Sequence, residues 1–229
     1  MKIKHVFIDI DRTLWDFEAN ANEVFRLIYE KHDLMKQIPS LEEFVNTYKE
    51  INEFLWNQYR DGLLPKHELQ EQRFLKTLQH FQIEDKDLAN RIGDDYIYFS
   101  PRQTILMPYT HEVLSYLQQK YVLHIITNGF EEVQYLKLKC NNLEQYFQEV
   151  IISENAGAMK PSEIIFNYAL QQANATAEES IMLGDDLPVD IVGAQQVGMQ
   201  QIYYNPHKIP HKEKPTYEIE CLKEIFEIL

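Results

Sequence analysis

The chain has 229 residues and a formal net charge of -14, with 45% hydrophobic and 25% charged residues. This composition is that of a folded globular protein and excludes a wholly disordered chain. The acidic charge argues against a nucleic-acid polymer or an anionic membrane as partner, because basic surfaces bind both. A small anionic substrate stays open, since it needs only local positive charge.

Cysteine usage and apolar run lengths indicate the compartment. Cys140 and Cys221 lack the paired spacing of a disulfide framework or a zinc site. The apolar run Val6–Ile8 is too short for a signal peptide, and no later run reaches the roughly 18 residues of a membrane span. We therefore expect a soluble, cytoplasmic protein.

Short apolar runs alternate with amphipathic segments along most of the chain. Runs rich in β-branched residues predict strands that are buried on both faces of a parallel sheet. The alternation predicts βαβ units, and therefore an α/β fold with a doubly wound, Rossmann-like parallel sheet. The predicted strands are Val6–Ile8, Tyr121–Ile126, Val150–Ile152, Ser180–Leu183 and the weaker Ile202–Tyr204. The predicted helices are Thr110–Lys120, Glu131–Cys140, Glu163–Gln172 and Val189–Gln196.

Residues 16–99 break this alternation, because they contain successive helical patterns without a convincing strand. Ser40 and Glu43 have the spacing of a capping box, and Asp61-Gly62 marks the next break. We predict an inserted, all-helical cap domain at 16–99, and a catalytic core made of 1–15 and 100–229.

The first candidate site follows the first predicted strand as Asp9-Ile10-Asp11-Arg12-Thr13. Alternate residues of a strand project to the same side, so a spacing of two can direct both carboxylates into one crevice. Acidic pairs in loops are also commonly solvated, and this pair alone does not decide between the two interpretations.

Three more polar clusters follow predicted strands. Thr127-Asn128-Gly129 is either an anion site or a helix N-cap, and Lys160, before Ser162, is either a site residue or a surface charge. Gly184-Asp185-Asp186 with Asp190 offers oxygen ligands for Mg²⁺, or simply a helix cap. Without a cation these carboxylates would repel Asp9 and Asp11, which favours a metal site.

The order of the four clusters resembles the haloacid dehalogenase superfamily of phosphatases. The resemblance implies that Asp9 attacks phosphorus and forms an aspartyl-phosphate, while Asp11 protonates the leaving oxygen and later activates water. It also implies that Thr127 and the Asn128 backbone hold phosphoryl oxygens, and that Lys160 neutralises Asp9 and the phosphate.

The same resemblance implies a magnesium site. Mg²⁺ would be held by the Asp9 carboxylate, the Asp11 main-chain carbonyl and Asp185, with Asp186 or Asp190 supporting the ligands from outside. Asp11 favours a phosphatase over a dehalogenase, because an ester with a poor leaving group needs an acid. Arg12 replaces the glycine usual in the family, so its turn either keeps ordinary backbone angles or accepts strain.

The stretch Asp11–Glu18 and the helical insertion resemble the bacterial pyrimidine 5'-nucleotidase branch. This implies a small phosphorylated substrate, a nucleoside 5'-monophosphate. Trp15 and Phe17 are candidate stacking residues because they follow the first motif directly. Trp56 and Phe74 are assigned to helix packing. Arg73 is either a substrate contact or a solvated helix charge, and we favour the solvated charge. The alternatives are a sugar-phosphate phosphatase or phosphomutase, or a catalytically silent phosphate-binding module.

Overall fold

The computed structural model describes residues 2–229, and Met1, the first residue of the predicted core, lies outside them. The chain forms two compact units. One comprises the residues up to Phe17 together with Thr104–Leu229, and the other comprises Glu18–Gln103. The predicted assignment of a catalytic core and a cap to such units stays a prediction.

The first unit contains one sheet of six strands, all paired in parallel. The strands are β1 His5–Ile8, β2 Val122–Thr127, β3 Phe147–Ile152, β4 Ser180–Gly184, β5 Gln200–Tyr204 and β6 Tyr217–Ile219, in the order β3-β2-β1-β4-β5-β6. This confirms the predicted doubly wound sheet. The edge strand β6 escaped prediction because its three residues are too few to show a pattern.

Both faces of the sheet are buried, as a doubly wound fold requires. Val6 and Ile8 belong to the hydrophobic cluster on one face, and Phe7 between them belongs to the cluster on the other. Adjacent residues of β4 divide in the same way, with Leu183 on the first face and Met182 on the second. This explains why these strands are continuous apolar runs.

Helices occupy most of the remaining chain. Those of the first unit include Glu131–Cys140 and Glu163–Gln172, which have the predicted bounds. Within residues 2–229, no helix combines the length and apolar character needed to cross a bilayer. The helices are α1 Phe17–Lys31, α2 Leu41–Arg60, α3 Lys66–His80, α4 Lys86–Phe99, α5 Thr110–Leu117, α6 Glu131–Cys140, α7 Ser153–Ala156, α8 Glu163–Gln172, α9 Gly193–Gln196 and α10 Ile225–Ile228.

The helix predicted at Val189–Gln196 is wrong in its geometry. Leu187–Val192 forms a π-helical turn, and α9 continues from Gly193. Such wide turns are common at functional sites, because they reorient one side chain without ending the helix. Here the turn contains Asp190, one of the predicted site residues.

The second unit is helical, as predicted. The Ser40 hydroxyl accepts a hydrogen bond from the Glu43 amide at 3.1 Å and so caps α2. Its interior is aromatic, and the Tyr48 ring lies 4.7 Å from that of Phe25 and 4.8 Å from that of Phe74. These contacts assign Phe74 to helix packing, as expected.

Candidate active site

Asp9 lies just beyond the carboxyl end of β1, where the order of the strands reverses. β1 has β2 on one side and β4 on the other, and ligands of such sheets bind at this switch point. The Asp9 amide donates to the Leu183 carbonyl at 3.0 Å, and the Thr13 hydroxyl donates to Asp185 Oδ1 at 3.2 Å. The structure therefore brings together the first and the fourth predicted clusters.

Lys160 is a buried cation that joins a third cluster to them. Its side chain is only 2% exposed, and Nζ donates to Asp9 Oδ1 at 2.6 Å, Asp190 Oδ1 at 2.6 Å and the Ile126 carbonyl at 2.8 Å. Burial alone would lower the pKa of Lys160, but the two carboxylates outweigh burial and raise it. Lys160 is therefore charged at neutral pH and is not a surface lysine.

Three aspartates form a crowded group of oxygen donors. One carboxylate oxygen from each of Asp9, Asp185 and Asp190 lies within 4.8 Å of the others. Burial and the charges of Asp9 and Asp190 raise the pKa of Asp185 to about 8. Burial also raises the pKa of Asp9, although Lys160 opposes it. One lysine does not neutralise this group, and a hard divalent cation that prefers oxygen ligands fits it.

The structure separates the two candidates for supporting the metal ligands. Asp186 Oδ1 accepts the Val189 amide at 3.2 Å, so this side chain caps the π-helical turn. Asp190 instead bonds Lys160 within the aspartate group. A Cβ atom on Gly184 would lie 2.3 Å from Asp190 Oδ2, so glycine is needed there for Asp190 to approach. Of the two, Asp190 therefore lies within the group of three aspartates.

The Asp11 side chain is directed to α6. Gln134 Nε2 donates to Asp11 Oδ2 at 2.8 Å, and Lys137 Nζ forms an ion pair with Oδ1. Burial would raise the pKa of Asp11, but Lys137 and the hydrogen bonds from Lys137 and Gln134 outweigh burial and lower it. Asp11 is therefore ionised in this arrangement, which is the form that a general base requires, and it has to take up a proton before it can act as an acid.

The residues after β2 join the same site in two ways. Thr127 is 1% exposed, and its Oγ1 accepts hydrogen bonds from the Gly129 amide at 3.1 Å and Gln134 Nε2 at 2.8 Å. The Asn128 side chain bonds the Lys160 backbone twice, from Nδ2 to the carbonyl at 2.9 Å and from the Lys160 amide to Oδ1 at 2.8 Å. Asn128 thus positions the segment that carries Lys160.

Gln134 and Lys137 are the site residues that sequence reasoning missed. Both are buried, at 0% and 4% exposure, on the same face of α6 as buried Leu138. Lys137 and Leu138 follow Gln134 by three and four residues, which places the two polar groups on the apolar stripe of the helix. Polar residues at the buried positions of an amphipathic helix are the sequence feature that could have identified Gln134 and Lys137.

Arg12 accepts backbone strain, which settles the alternatives left by the sequence. Its φ is 64°, in the left-handed region that favours glycine. Its guanidinium lies 4.4 Å from the centre of the half-buried Phe17 ring. Trp15 is 1% exposed and packs in the core of the sheet, so it presents no open face for a nucleobase. The structure therefore does not bring Trp15 to the site surface.

Arg73 and Trp56, two residues of the helical unit, contact aromatic side chains of that same unit. Arg73 was expected to be a solvated charge, but it is only 6% exposed. Its guanidinium lies 4.7 Å from the centre of the Tyr96 ring. Trp56 packs against Tyr59 at a centroid distance of 5.6 Å. These contacts describe packing inside that unit.

Comparison with known proteins places this geometry in a family. The solved structure of the HAD-hydrolase YfnB from Bacillus subtilis, bound to magnesium, matches with a TM-score of 0.88 and 30% identity, covering 100% of this chain and 99% of that one. The pyrimidine 5'-nucleotidase PynA of Streptococcus pneumoniae is 28% identical over 100% of this chain and 96% of its own length.

A third relative acts on a different class of substrate. The glyceraldehyde 3-phosphate phosphatase of Pyrococcus furiosus is 30% identical over 100% of this chain and 93% of its own length. A sequence profile described as haloacid dehalogenase-like hydrolase matches residues 3–198. The chain therefore belongs to the haloacid dehalogenase-like hydrolase family.

Proposed function

We propose that the chain is a magnesium-dependent phosphatase that hydrolyses small phosphomonoesters through a phosphorylated Asp9. The observation that carries the proposal is the buried contact between Asp9 and Lys160, at the strand switch point and beside Asp185. A carboxylate held next to a fixed cation suits attack on a phosphoryl group, where positioning and charge neutralisation supply most of the rate.

In the first half-reaction, an Asp9 carboxylate oxygen forms a bond to phosphorus while the ester oxygen leaves. Asp11 has to take up a proton from solvent before this step, and it then gives that proton to the ester oxygen, so the product leaves as an alcohol. In the second half-reaction Asp11 takes a proton from water, whose oxygen attacks phosphorus and releases Asp9 and inorganic phosphate. Lys160 keeps its charge throughout and offsets the negative charge on Asp9 and the phosphoryl oxygens.

Thr127 and the Asn128 backbone are assigned to the phosphoryl oxygens. Both contacts of the Thr127 hydroxyl use its oxygen as an acceptor, so its proton is available for a phosphoryl oxygen. Mg²⁺ would be held by the carboxylates of Asp9 and Asp185 and the main-chain carbonyl of Asp11, with Asp190 in support. The cation supplies further charge neutralisation at the phosphoryl group.

The substrate that we propose is a pyrimidine nucleoside 5'-monophosphate. PynA supports this because its similarity extends over the whole chain, including the helical unit. A sugar phosphate is the second candidate, and the equally extended similarity to the Pyrococcus phosphatase supports it. We assign the helical unit to recognition of the rest of the substrate, and the protein to the cytoplasm, where its free cysteines Cys140 and Cys221 suit the reducing conditions.

Phosphate release from a panel of nucleoside monophosphates and sugar phosphates, with and without Mg²⁺, tests both the phosphatase activity and the choice of substrate. Efficient turnover of pyrimidine monophosphates is expected only with the metal. Turnover of sugar phosphates alone would contradict the nucleotidase assignment and leave the phosphatase intact. Failure on every ester would indicate the silent module, and transfer of the phosphoryl group within a sugar phosphate would indicate a mutase.

A further inference from the structure

Gln134 connects Asp11, which transfers the proton in the proposed reaction, with Thr127, whose hydroxyl is assigned a hydrogen bond to the phosphoryl group. Its side chain is 0% exposed, and Nε2 donates to Asp11 Oδ2 and to Thr127 Oγ1, at 2.8 Å each. An amide nitrogen has two hydrogens, and both are used by these contacts. The acid/base carboxylate and the phosphate-binding hydroxyl are therefore held by the same nitrogen.

The chain makes room for this contact at Gly129. A Cβ atom there would lie 2.0 Å from Gln134 Nε2, a distance that atoms of two side chains cannot share. The φ of Gly129 is not in the positive range, so space and not backbone conformation requires the glycine. The Gly129 amide also donates to Thr127 Oγ1 at 3.1 Å.

These donors determine the direction in which Thr127 can act. A hydroxyl oxygen accepts at most two hydrogen bonds and donates one. Gly129 and Gln134 occupy both acceptor positions, so the hydroxyl proton of Thr127 has to point to a different atom. A phosphoryl oxygen is an acceptor only, and it is the group that such a donor recognises.

Lys137 fixes the other oxygen of Asp11. Its Nζ pairs with Oδ1 and lies 4.1 Å from the centre of the Trp15 ring. Buried Trp15 thus supports the lysine, and Asp11 is held at both oxygens from one face of α6. A carboxylate held in this way cannot rotate freely about its terminal bond, which preserves one orientation toward an incoming ester.

A purely structural role does not explain Gln134. Its carbonyl Oε1 is buried and has no hydrogen-bond partner among residues 2–229, an arrangement that costs stability. A methionine of similar length would fill the space without that cost. The glutamine is therefore better explained by what its nitrogen holds than by packing.

We propose that Gln134 is a positioning residue for phosphoryl transfer, which orients Asp11 toward the leaving oxygen and the Thr127 hydroxyl toward the phosphoryl group, with Lys137 as the second anchor of Asp11. This inference rests on the proposed phosphatase function. It concerns two residues of α6 that none of the four sequence clusters contains.

The test compares two esters that differ in their need for an acid. The alkoxide that leaves uridine 5'-monophosphate has to be protonated, whereas p-nitrophenolate leaves without a proton. First-turnover rates, measured by rapid quench, isolate this step from hydrolysis of the phosphoenzyme. Gln134→Met is expected to slow the first turnover of the nucleotide by about tenfold to a hundredfold, and that of p-nitrophenyl phosphate much less.

Three further variants sharpen the test. Gly129→Ala leaves residue 134 unchanged but displaces its amide, and should shift the ratio of the two rates in the same direction. Lys137→Met should shift that ratio without weakening inhibition by inorganic phosphate, whereas Gln134→Met should do both, because it also releases Thr127. Gln145→Met is the matched control, since Gln145 is exposed and bonds only the Asn142 carbonyl.

An unchanged ratio of the two rates in Gln134→Met would overturn the inference, even if both rates fell together with the melting temperature. An unchanged inhibition constant for inorganic phosphate would overturn the part that concerns Thr127. If the unsubstituted protein hydrolysed neither ester, the proposed function itself would fail. A protein that is active and insensitive to these changes would refute only the role of Gln134.

Discussion

Asp9 and Lys160 are separated by 151 positions in the chain, yet Lys160 Nζ donates a 2.6 Å hydrogen bond to Asp9 Oδ1. The same lysine bonds Asp190 at 2.6 Å, so one buried cation holds the loops after β1 and β4. The stability of this arrangement depends on keeping the three charges together, because each of them would be costly to bury alone.

Replacing the lysine with a methionine tests that dependence. Lys160→Met leaves two buried carboxylates without their cation, and we expect the free energy of unfolding to fall by about 3–5 kcal/mol. Urea denaturation at neutral pH measures the change. Lys139→Met is the matched control, because Lys139 is an exposed lysine of α6, and its loss should stay within about 0.5 kcal/mol. Equal losses in the two variants would contradict the interpretation.

Removing the proposed nucleophile should abolish turnover without removing the fold. Asp9→Asn keeps the shape of the side chain, and Lys160 keeps its contact with Asp190. We expect the turnover number to fall by about 10⁴-fold or more, and acid quenching with a labelled substrate should trap phosphoenzyme only in the unsubstituted protein. Asp33→Asn, at an exposed aspartate, serves as control. Unchanged metal-dependent hydrolysis in Asp9→Asn would refute the mechanism.

Two adjacent aspartates offer a test for the cation that does not depend on activity. The pKa of Asp185 is raised to about 8 by burial and by Asp9 and Asp190, so at neutral pH folding has to protonate a carboxyl group that is ionised in the unfolded chain. Asp185→Asn removes this cost and should raise the melting temperature in EDTA. Added Mg²⁺ should stabilise the unsubstituted protein but not Asp185→Asn, which lacks a proposed ligand.

The neighbouring variant Asp186→Asn is the control for that experiment. Asp186 caps the π-helical turn and lies outside the group of three aspartates, so this variant should keep the full response to Mg²⁺. A lost response in Asp186→Asn, or a normal one in Asp185→Asn, would show that the ligands are assigned to the wrong residues.

The sheet and the four clusters were accessible from the sequence because buried parallel strands are apolar runs and their following residues meet at one edge. The placement of individual side chains around that edge could not be predicted from the sequence. The contact of Gln134 with Asp11 depends on how α6 is rotated above β1 and β2, which periodicity along one helix does not specify. Similarly, an aromatic residue after the first motif was expected at the site, but Trp15 turns into the core and supports Lys137.

Asp190 shows a second limit of sequence patterns. A regular helix was expected across Val189–Gln196, but the chain widens into a π-helical turn at Leu187–Val192. Within this turn Asp190 contacts Lys160 and packs where Gly184 lacks a side chain. The local deviation is set by a tertiary ion pair, and no local propensity encodes it.

The contact between His5 on β1 and His124 on β2 predicts how the stability of the fold varies with pH. His124 is 0% exposed, its Nε2 lies 3.1 Å from His5 Nδ1, and the Phe7 ring stacks on it at 4.7 Å. Burial, and to a lesser extent His5, lowers the pKa of His124 from 6.5 to about 4. The hydrogen bond between the rings also needs one neutral nitrogen as acceptor, so the pair disfavours a second proton.

The sign of the effect follows from the proton balance. Between pH 6.5 and about 4 the unfolded chain binds a proton at His124 that the folded chain does not, so acidification favours unfolding across this window. The stability is fully present above pH 6.5 and decreases below it, by about 2 kcal/mol at pH 5.

His124→Phe should remove this dependence, since phenylalanine binds no proton and fits beside Phe7. Denaturant unfolding at pH 7.5 and pH 5 measures the difference, with His67→Phe at an exposed histidine as control. If His124→Phe lost as much stability on acidification as the unsubstituted protein, the buried pair would not be the source of the acid sensitivity.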